Sequence, residues 1–270
     1  MLKPDRHLGQ HFLKDKKILK KIADLAISNL PIIEIGAGRG ELTKYLAQKA
    51  EVIALEKDKR FRKVLKTIPK TRVIIADALQ FLRCNLKYLK KNYQVFGNLP
   101  FYLEKPIIQQ VLQLQPPPKK AVFLINKEVA EGSLGKKSLF ALSVEFFANV
   151  RVLFSVSKKK FFPEPKVDGR VIVIKDIGYK LPFHLDRKKI EQNFFYFLKL
   201  GFSSPRKKLI NNLVRGLNVK KQILQKAFFQ AKIELNKRAE DLGLNQWLDL
   251  FSILKKQNVQ FFSENQRSKR

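Results

Sequence analysis

Short apolar runs alternate with amphipathic stretches through the first two thirds of the chain. Five of the runs are apolar almost throughout: residues 31–36, 51–58, 72–77, 94–98 and 120–126. Helical spacing of apolar positions separates several of them, in residues 41–50, 59–68 and 103–115. Runs that are apolar on both faces are typical of strands covered by helices on each side. The alternation therefore predicts an α/β fold with a doubly wound parallel sheet.

Two further β-rich runs, residues 150–157 and 169–176, predict an antiparallel hairpin that closes one edge of the sheet. Residues 177–184 contain Gly and Pro without a clear period, and we place a domain boundary there. Helical spacing without strand signals follows, in residues 187–202, 205–217, 220–233 and 246–257. The predicted domains are residues 1–180, with the sheet, and residues 181–270, small and all-helical.

The chain is strongly basic, which points to an anionic partner. It has 55 Lys and Arg against 23 Asp and Glu, a net charge of +32. Residues 182–270 hold 19 basic and 7 acidic residues, a net charge of +12, and the remainder carries +20. Nucleic acid is the first candidate partner and an anionic membrane surface the second. A generally lysine-rich composition is the alternative explanation.

Several classes of protein are excluded by composition. The single cysteine, Cys84, allows no disulfide within the chain and no cysteine-based metal site. Three histidines show no ligand spacing, so no metal is expected. The N-terminus carries charges where a signal peptide needs an apolar run, and no apolar stretch approaches the ~18 residues that span a bilayer. We therefore expect a soluble, intracellular protein.

Three glycines follow the first predicted strand: Gly36, Gly38 and Gly40. Glycine allows a sharp turn and a close approach of the backbone to a ligand. The dinucleotide-binding pattern G-x-G-x-x-G requires glycine at position 41, where this chain has Glu41. An acidic residue at the start of a helix also suits a pyrophosphate poorly. The loop therefore predicts a cofactor without phosphates.

Acidic residues end the next two predicted strands. Glu56, 20 residues after Gly36, can accept two hydrogen bonds from ribose hydroxyls, and Asp77 is placed to accept one from an adenine amino group. The alternative is that each acid caps the following helix. Together with the glycine loop and Asn98 at the end of the fourth strand, they resemble a class I S-adenosylmethionine-dependent methyltransferase. That cofactor is an adenosine with a sulfonium and an amino acid.

Asn98, Leu99, Pro100 and Phe101 are similar to the [DNS]-P-P-[YF] motif of amino-methyltransferases. The lone pair of the adenine amine is delocalised into the ring. Acceptors aimed at its two N–H bonds, the Asn98 side-chain oxygen and the Leu99 carbonyl, can free that lone pair. Pro100 has no N–H and fixes the loop, and Phe101 can stack on the base for ~1–3 kcal/mol. The segment predicts a catalytic site for a flipped adenine.

Motifs in residues 7 to about 176, in the order found there, resemble the KsgA/Erm family of rRNA adenine N6-dimethyltransferases. They include GQHFLKD (9–15), IEIGAGRGELT, VFGNLPF, INKEVAE (125–131), SLFALSVEFF (138–147) and FFPEPKVDGRVIVI (161–174). The resemblance continues in GFSSPRKKLINNL and KRAEDLGLNQWL, where it is closer to the KsgA type. It implies S-adenosylmethionine-dependent N6,N6-dimethylation of adenosines, two of them adjacent, near the 3′ end of 16S rRNA. It further implies a monomeric, cytoplasmic enzyme that acts on pre-30S particles in small-subunit biogenesis.

The resemblance also assigns residues around the cofactor. His11 and Leu13 would belong to a lid segment over it, and Gly36 and Gly38 would line its methionine end. Glu56 would bind the ribose. The remaining cofactor-binding residues would be Asp77 and Ala78 at the adenine and Asn98 between cofactor and target.

A second aromatic, Phe161, would cover the other face of the target base, with core packing as the alternative. The chain departs from the family pattern with His11 for Asn and Phe101 for Tyr, and with Asn126 and Gly132 for Gln and Arg. Three other functions stay open. They are an Erm-type 23S rRNA dimethyltransferase, a non-catalytic nucleic-acid-binding relative, and an amino-methyltransferase acting on DNA or protein glutamine.

Overall fold

A computed structural model describes residues 3–5, 8–84, 92–135, 137–178 and 187–261. Its strands are β1 (Phe12–Leu13), β2 (Ile32–Ile35), β3 (Val52–Glu56), β4 (Thr71–Ile75), β5 (Gln94–Asn98), β6 (Lys120–Asn126), β7 (Asn149–Val156), β8 (Phe161–Phe162) and β9 (Gly169–Lys175). Seven of these described strands form one sheet in the order β4-β3-β2-β5-β6-β9-β7, and β1 pairs with β8. The five strands predicted from the apolar runs are confirmed.

The sheet is mixed, and only β9 runs against the others. Strands β2 to β6 pair in parallel, β9 is antiparallel to β6, and β7 is antiparallel to β9. The predicted antiparallel pair at one edge is therefore confirmed. The chain leaves β2 towards β3 on one side and later continues with β5 on the other. Ligands of open α/β sheets bind at such a switch point, outside the carboxyl ends of the strands.

The helices are α1 (Lys16–Ala23), α2 (Thr43–Leu46), α3 (Arg62–Lys66), α4 (Ala78–Cys84), α5 (Glu104–Leu112), α6 (Leu139–Phe147), α7 (Arg187–Gly201), α8 (Leu209–Leu217), α9 (Lys221–Gln230) and α10 (Leu244–Lys256). Helix α2 is shorter than its pattern because the chain continues in tight turns, with Gln48 N–H donating to the Tyr45 carbonyl. The sequence patterns above do not predict helix α1. Asp15 caps it, and its side chain accepts hydrogen bonds from the N–H groups of Lys17 and Ile18. None of the described helices combines the length and the apolar character that a membrane span requires.

The chain divides into two compact units, Met1–Ser133 with Phe147–Tyr179 and Leu134–Phe146 with Lys180–Arg270. The second unit contains no strand among described residues 187–261. Phe146 stacks on Phe194 in its core, with ring centroids 5.2 Å apart. The predicted domain limits, 1–180 and 181–270, differ from these units in the placement of residues 134–146. Most of the predicted boundary stretch lies outside the described residues.

Candidate active site

A cavity lies at the carboxyl ends of the parallel strands, beside the switch point between β2 and β5. Ten of the twelve predicted site residues line it: His11, Gly36, Gly38, Glu56, Asp77, Ala78, Asn98, Leu99, Pro100 and Phe101. The other two, Leu13 and Phe161, do not. The roles given to these residues remain predictions, but the structure brings most of them to one place.

The glycine loop uses its backbone N–H groups internally. The N–H groups of Gly36 and Ala37 both donate to the Leu55 carbonyl, at 2.9 and 3.1 Å. Gly38 N–H donates to Glu56 Oε2 at 2.6 Å, and Gly40 N–H to the Ala37 carbonyl at 2.9 Å. A phosphate-binding loop instead turns its N–H groups towards the ligand. This arrangement fits a cofactor that has no phosphate at this loop.

Gly38 packs against Phe12 of the N-terminal segment, by which we mean residues 8–15. Its φ is +53°, and a Cβ added to it would lie 2.8 Å from Cε1 of Phe12. The Phe12 ring is held by Phe61 in an edge-on contact at 5.7 Å and by the Arg39 guanidinium at 4.4 Å. The close approach explains why the loop requires glycine here.

Replacing Gly38 with alanine should therefore lower stability by about 1–3 kcal/mol, because the backbone is strained and Phe12 must move. Thermal unfolding followed by circular dichroism measures the loss. Gly132→Ala is the control, since a Cβ at Gly132 meets no atom within 4 Å. Equal melting temperatures for the two variants would contradict the packing described.

Glu56 is buried at the end of β3, with 7% of its surface exposed. Its carboxylate accepts from Gly38 N–H at 2.6 Å and from Asp58 N–H at 2.8 Å. Burial raises the pKa of Glu56, and these two N–H groups oppose the rise. Each carboxylate oxygen has a second acceptor position. Glu56 can therefore hold the glycine loop and still accept hydrogen bonds from hydroxyl groups of a ligand in the cavity.

Asp77 caps a helix and lines the cavity at the same time. Its Oδ1 accepts from Leu79 N–H at 3.0 Å and Gln80 N–H at 3.2 Å, at the start of α4. Its Oδ2 accepts from Lys57 Nζ at 3.1 Å. Burial acts to raise the pKa of Asp77, but the Gln80 N–H and the Lys57 ammonium outweigh it and the pKa is lowered. The capping alternative thus describes this residue correctly and leaves it an ionised acceptor.

Asn98 has its amide orientation fixed by the N-terminal segment. Its Nδ2 donates to the His11 carbonyl at 2.9 Å. A carbonyl only accepts, so the contacting atom must be the amide nitrogen, and Oδ1 is the acceptor that remains. Leu99 N–H is held by the Leu124 carbonyl at 3.0 Å. No hydrogen bond between described residues ends on the Leu99 carbonyl oxygen, so both predicted acceptors stay available.

His11 braces the aromatic part of the site. Its Nδ1 lies 2.8 Å from the Pro163 carbonyl, so Nδ1 carries the proton. Its ring stacks on Phe101, with centroids 5.4 Å apart and planes 21° apart. The histidine at this position therefore supports Phe101 and ties the N-terminal segment to the loop at Pro163.

Leu13 and Phe161 are partners in the strand pair formed by β1 and β8. Both are buried in the core, with 3% and 7% of their surface exposed. Side chains alternate along a strand, so the next residue, Phe162, faces outwards and carries Lys14 Nζ 4.0 Å above its ring. Phe161 therefore lies in the core, and its role at the target base stays a prediction.

Sequence reasoning missed several residues of the cavity wall, among them Gln10, Lys57 and Tyr102. Gln10 Nε2 donates to Asp58 Oδ2 at 3.0 Å, which fixes the N-terminal segment to the end of β3. The Arg60 guanidinium also binds Asp58, and it lowers the pKa of that carboxyl to about 2. The consecutive aromatics Phe101 and Tyr102 were the one sequence signal for Tyr102.

The residues present fit S-adenosylmethionine. Buried Glu56 and ionised Asp77 are acceptors suited to ribose hydroxyls and an adenine amine, and the glycine loop is not arranged for phosphate. Glu56 would hold the ribose, Asp77 and Ala78 the adenine, and Gly36 and Gly38 the methionine end. No described group of three or more His, Cys, Asp or Glu residues could hold a metal ion.

Comparison with known proteins agrees with this geometry. A family model described as "Ribosomal RNA adenine dimethylase" matches residues 1–256. A "Ribosomal RNA small subunit methyltransferase A" from Alkaliphilus oremlandii is 36% identical, over 90% of this chain and 88% of the relative. One from Mesomycoplasma hyopneumoniae is 34% identical, over 92% of this chain and 95% of the relative.

Solved structures agree on the fold. A dimethyladenosine transferase from Plasmodium falciparum has a TM-score of 0.73 and 25% identity, covering 93% of this chain and all of that chain. The 23S rRNA methyltransferase ErmE, at 24% identity and a TM-score of 0.69, covers 90% of this chain and 99% of its own and shows the shared fold. The chain therefore belongs to the ribosomal RNA adenine dimethylase family, whose members are class I methyltransferases that use S-adenosylmethionine.

Proposed function

We propose that this enzyme dimethylates N6 of two adjacent adenosines near the 3′ end of small-subunit 16S rRNA. The observation that carries the proposal is the acceptor pair, Asn98 Oδ1 and the Leu99 carbonyl, beside Phe101 in the cavity. The names of the curated relatives support the small subunit as the substrate. The enzyme would act as a cytoplasmic monomer on pre-30S particles, with a role in small-subunit biogenesis.

The chain's residues prepare the target amine for attack. S-adenosylmethionine, when bound, supplies an electrophilic methyl group on a sulfonium. Asn98 and Leu99 accept from the two N–H bonds of the adenine amine, which frees its lone pair, while Phe101 contacts the base face. The nitrogen would become cationic as the N–C bond forms and the bond between the methyl carbon and the sulfonium sulfur breaks, with its electron pair left on a neutral thioether. The nitrogen would then release a proton to water, so no strong base is needed. Catalysis here depends on positioning.

Primer extension across the 3′ end of the small-subunit rRNA tests the proposal, in cells with and without this protein. We expect stops at two adjacent adenosines only when the protein is present. Stops in large-subunit rRNA instead would indicate the Erm-type activity. Unmodified rRNA in both strains, with the protein bound to ribosomal particles, would indicate the non-catalytic alternative. Methylation of DNA or protein glutamine alone would indicate the remaining one.

The helical unit supplies a basic surface for RNA. Exposed cations surround a concavity at the start of α8: Arg206, Lys207, Lys208 and Arg215. Neutralising phosphates releases counterions, so affinity should fall steeply with salt. A deletion near residue 180 is a poor test, because it removes Phe194 from the stack with Phe146. Point substitutions are the sharper choice.

Lys207→Gln combined with Lys208→Gln should weaken binding to small-subunit particles severalfold and reduce the salt slope by about 1 for each phosphate that is no longer neutralised. Filter binding at several salt concentrations measures both quantities. Lys255→Gln combined with Lys256→Gln is the control, since it removes the same charge from exposed positions at the end of α10. Equal slopes for the two variants would show that this surface does not dock the RNA.

A further inference from the structure

Glu104 is a buried acid directly behind the target-base loop. It begins α5, immediately after the turn Phe101–Leu103, and its side chain is completely buried. Its Oε1 accepts from the backbone N–H of Asn126 at 2.7 Å. Its Oε2 has no hydrogen-bond partner, and no ion pair involves Glu104 within the described part of the chain. Burial raises the pKa of Glu104 to about 8, against the opposing Asn126 N–H.

Burial of a carboxyl costs free energy of folding, and the net stabilisation from a single hydrogen bond offsets only part of that cost. The position of that bond is informative. It joins the start of α5 to the end of β6. Strand β6 pairs with β5, whose last residue is Asn98. The Glu104 carboxyl therefore anchors the segment that follows Asn98 in the chain.

Residues 99–104, which we call the target-base arch, are attached to β6 at both ends. At the first end, Leu99 N–H donates to the Leu124 carbonyl at 3.0 Å. At the second end, Glu104 Oε1 accepts from Asn126 N–H at 2.7 Å. The residues between these two attachments, Pro100 to Leu103, line the cavity. The position of the arch over the cavity thus depends on both attachments.

We propose that Glu104 is a positioning residue for methyl transfer. Its carboxyl fixes the second end of the target-base arch to β6 and so holds the Leu99 carbonyl and the Phe101 ring at the place where the adenine binds. The inference rests on the proposed function, because that function assigns the arch to the adenine. Misplacement of reacting groups by about 1 Å can cost up to a hundredfold in rate. Removal of one attachment should cost roughly tenfold in kcat.

Two substitutions separate the acceptor from the volume of the side chain. Glu104→Gln keeps the shape and one acceptor oxygen, whereas Glu104→Leu fills similar space without an acceptor. Tyr93→Phe is the matched control: it removes one buried hydrogen bond, from the Tyr93 hydroxyl to the Pro116 carbonyl at 2.7 Å, by a side chain that does not line the cavity. Methyl incorporation into small-subunit particles gives kcat and KM. Calorimetry gives the S-adenosylmethionine Kd, and thermal unfolding gives the melting temperature.

We expect Glu104→Leu to lower kcat roughly tenfold with an S-adenosylmethionine Kd within about twofold of wild type, since Glu56 and Gly38 lie outside the arch. Glu104→Gln should restore kcat. Tyr93→Phe should lower the melting temperature and leave kcat unchanged. Glu104→Asp, whose carboxyl is one methylene short of Asn126, should lower kcat as Glu104→Leu does and serves if the latter does not fold.

A folded Glu104→Leu or Glu104→Asp variant with wild-type kcat would overturn the positioning role alone. The same follows if Glu104→Gln is as impaired as Glu104→Leu, because the acceptor would then not be what matters. A wild-type enzyme that leaves small-subunit particles unmethylated would overturn the proposed function, and this inference with it. The wild-type measurement thus distinguishes the two failures.

Discussion

Asn98→Ala is expected to lower kcat for adenine methylation by about a hundredfold or more, with S-adenosylmethionine affinity nearly intact. The substitution would delete one of the two acceptors that we propose to orient the amine, and loss of one oriented transition-state hydrogen bond typically costs this much. Single-turnover methyl transfer to small-subunit particles measures the step. Calorimetry on the same preparation reports cofactor binding.

Asn98 has a second contact, which a matched variant can separate. Its Nδ2 holds the His11 carbonyl at 2.9 Å, so alanine removes both the acceptor and this brace. Asn98→Asp keeps an acceptor oxygen but cannot donate to His11 when ionised. We therefore expect Asn98→Asp to be slower than wild type and faster than Asn98→Ala. A fall of less than threefold for Asn98→Ala would show that the assigned role is wrong.

Many of the cavity-lining residues could be predicted because the end of a parallel strand determines where the next side chains lie. Glu56, Asp77 and Asn98 each lie at or just after the last residue of a parallel strand, and parallel strands bring their carboxyl ends to one edge. The strands predicted from the apolar runs therefore place all three side chains at one edge of the sheet. The spacing of the glycines likewise predicted a cofactor without phosphates, and the internal hydrogen bonds of Gly36 and Gly38 agree with that prediction.

The rest depends on contacts between distant parts of the chain, which carry no local signal. Gln10 reaches Asp58 across 48 positions, and His11 reaches Pro163 across 152. Phe161 illustrates the same limit for a side chain whose surroundings depend on the pairing of two short strands. The resemblance assigns it to the target base, and that role stays a prediction; periodicity does not reveal that the pairing of β1 with β8 buries Phe161 and leaves Phe162 exposed. The register of these two short strands determines which of the two aromatic side chains is buried, and periodicity over two residues cannot specify it.

Glu104 shows a third limit of sequence reasoning. An acid in the first turn of a helix is an ordinary feature on grounds of helix polarity. Nothing in its neighbours indicates that it is fully buried or that it binds Asn126, 22 residues away. Its burial follows from the packing of α5 beside the end of β6, which the separate patterns of the two elements do not reveal.

Glu56→Ala should weaken S-adenosylmethionine binding by roughly ten- to a hundredfold, corresponding to the ~1.5–3 kcal/mol of a hydrogen bond to a charged group. In the proposed placement, the Glu56 carboxylate would contact the ribose, a part of the cofactor that does not react. Its loss should therefore appear in Kd or KM, with kcat at saturating cofactor little changed. Calorimetric titration with S-adenosylmethionine gives Kd, and initial rates over a range of cofactor concentrations separate KM from kcat.

The structure adds that Glu56 holds Gly38 N–H and Asp58 N–H, so alanine also loosens the glycine loop. That effect acts in the same direction, and the upper part of the expected range includes it. Glu51→Ala is the control, because Glu51 is exposed at the opposite end of β3 and should leave Kd unchanged. Unchanged affinity in Glu56→Ala would show that the nucleotide does not lie at the end of β3. A large fall in kcat with unchanged KM would instead assign Glu56 to the transition state for methyl transfer.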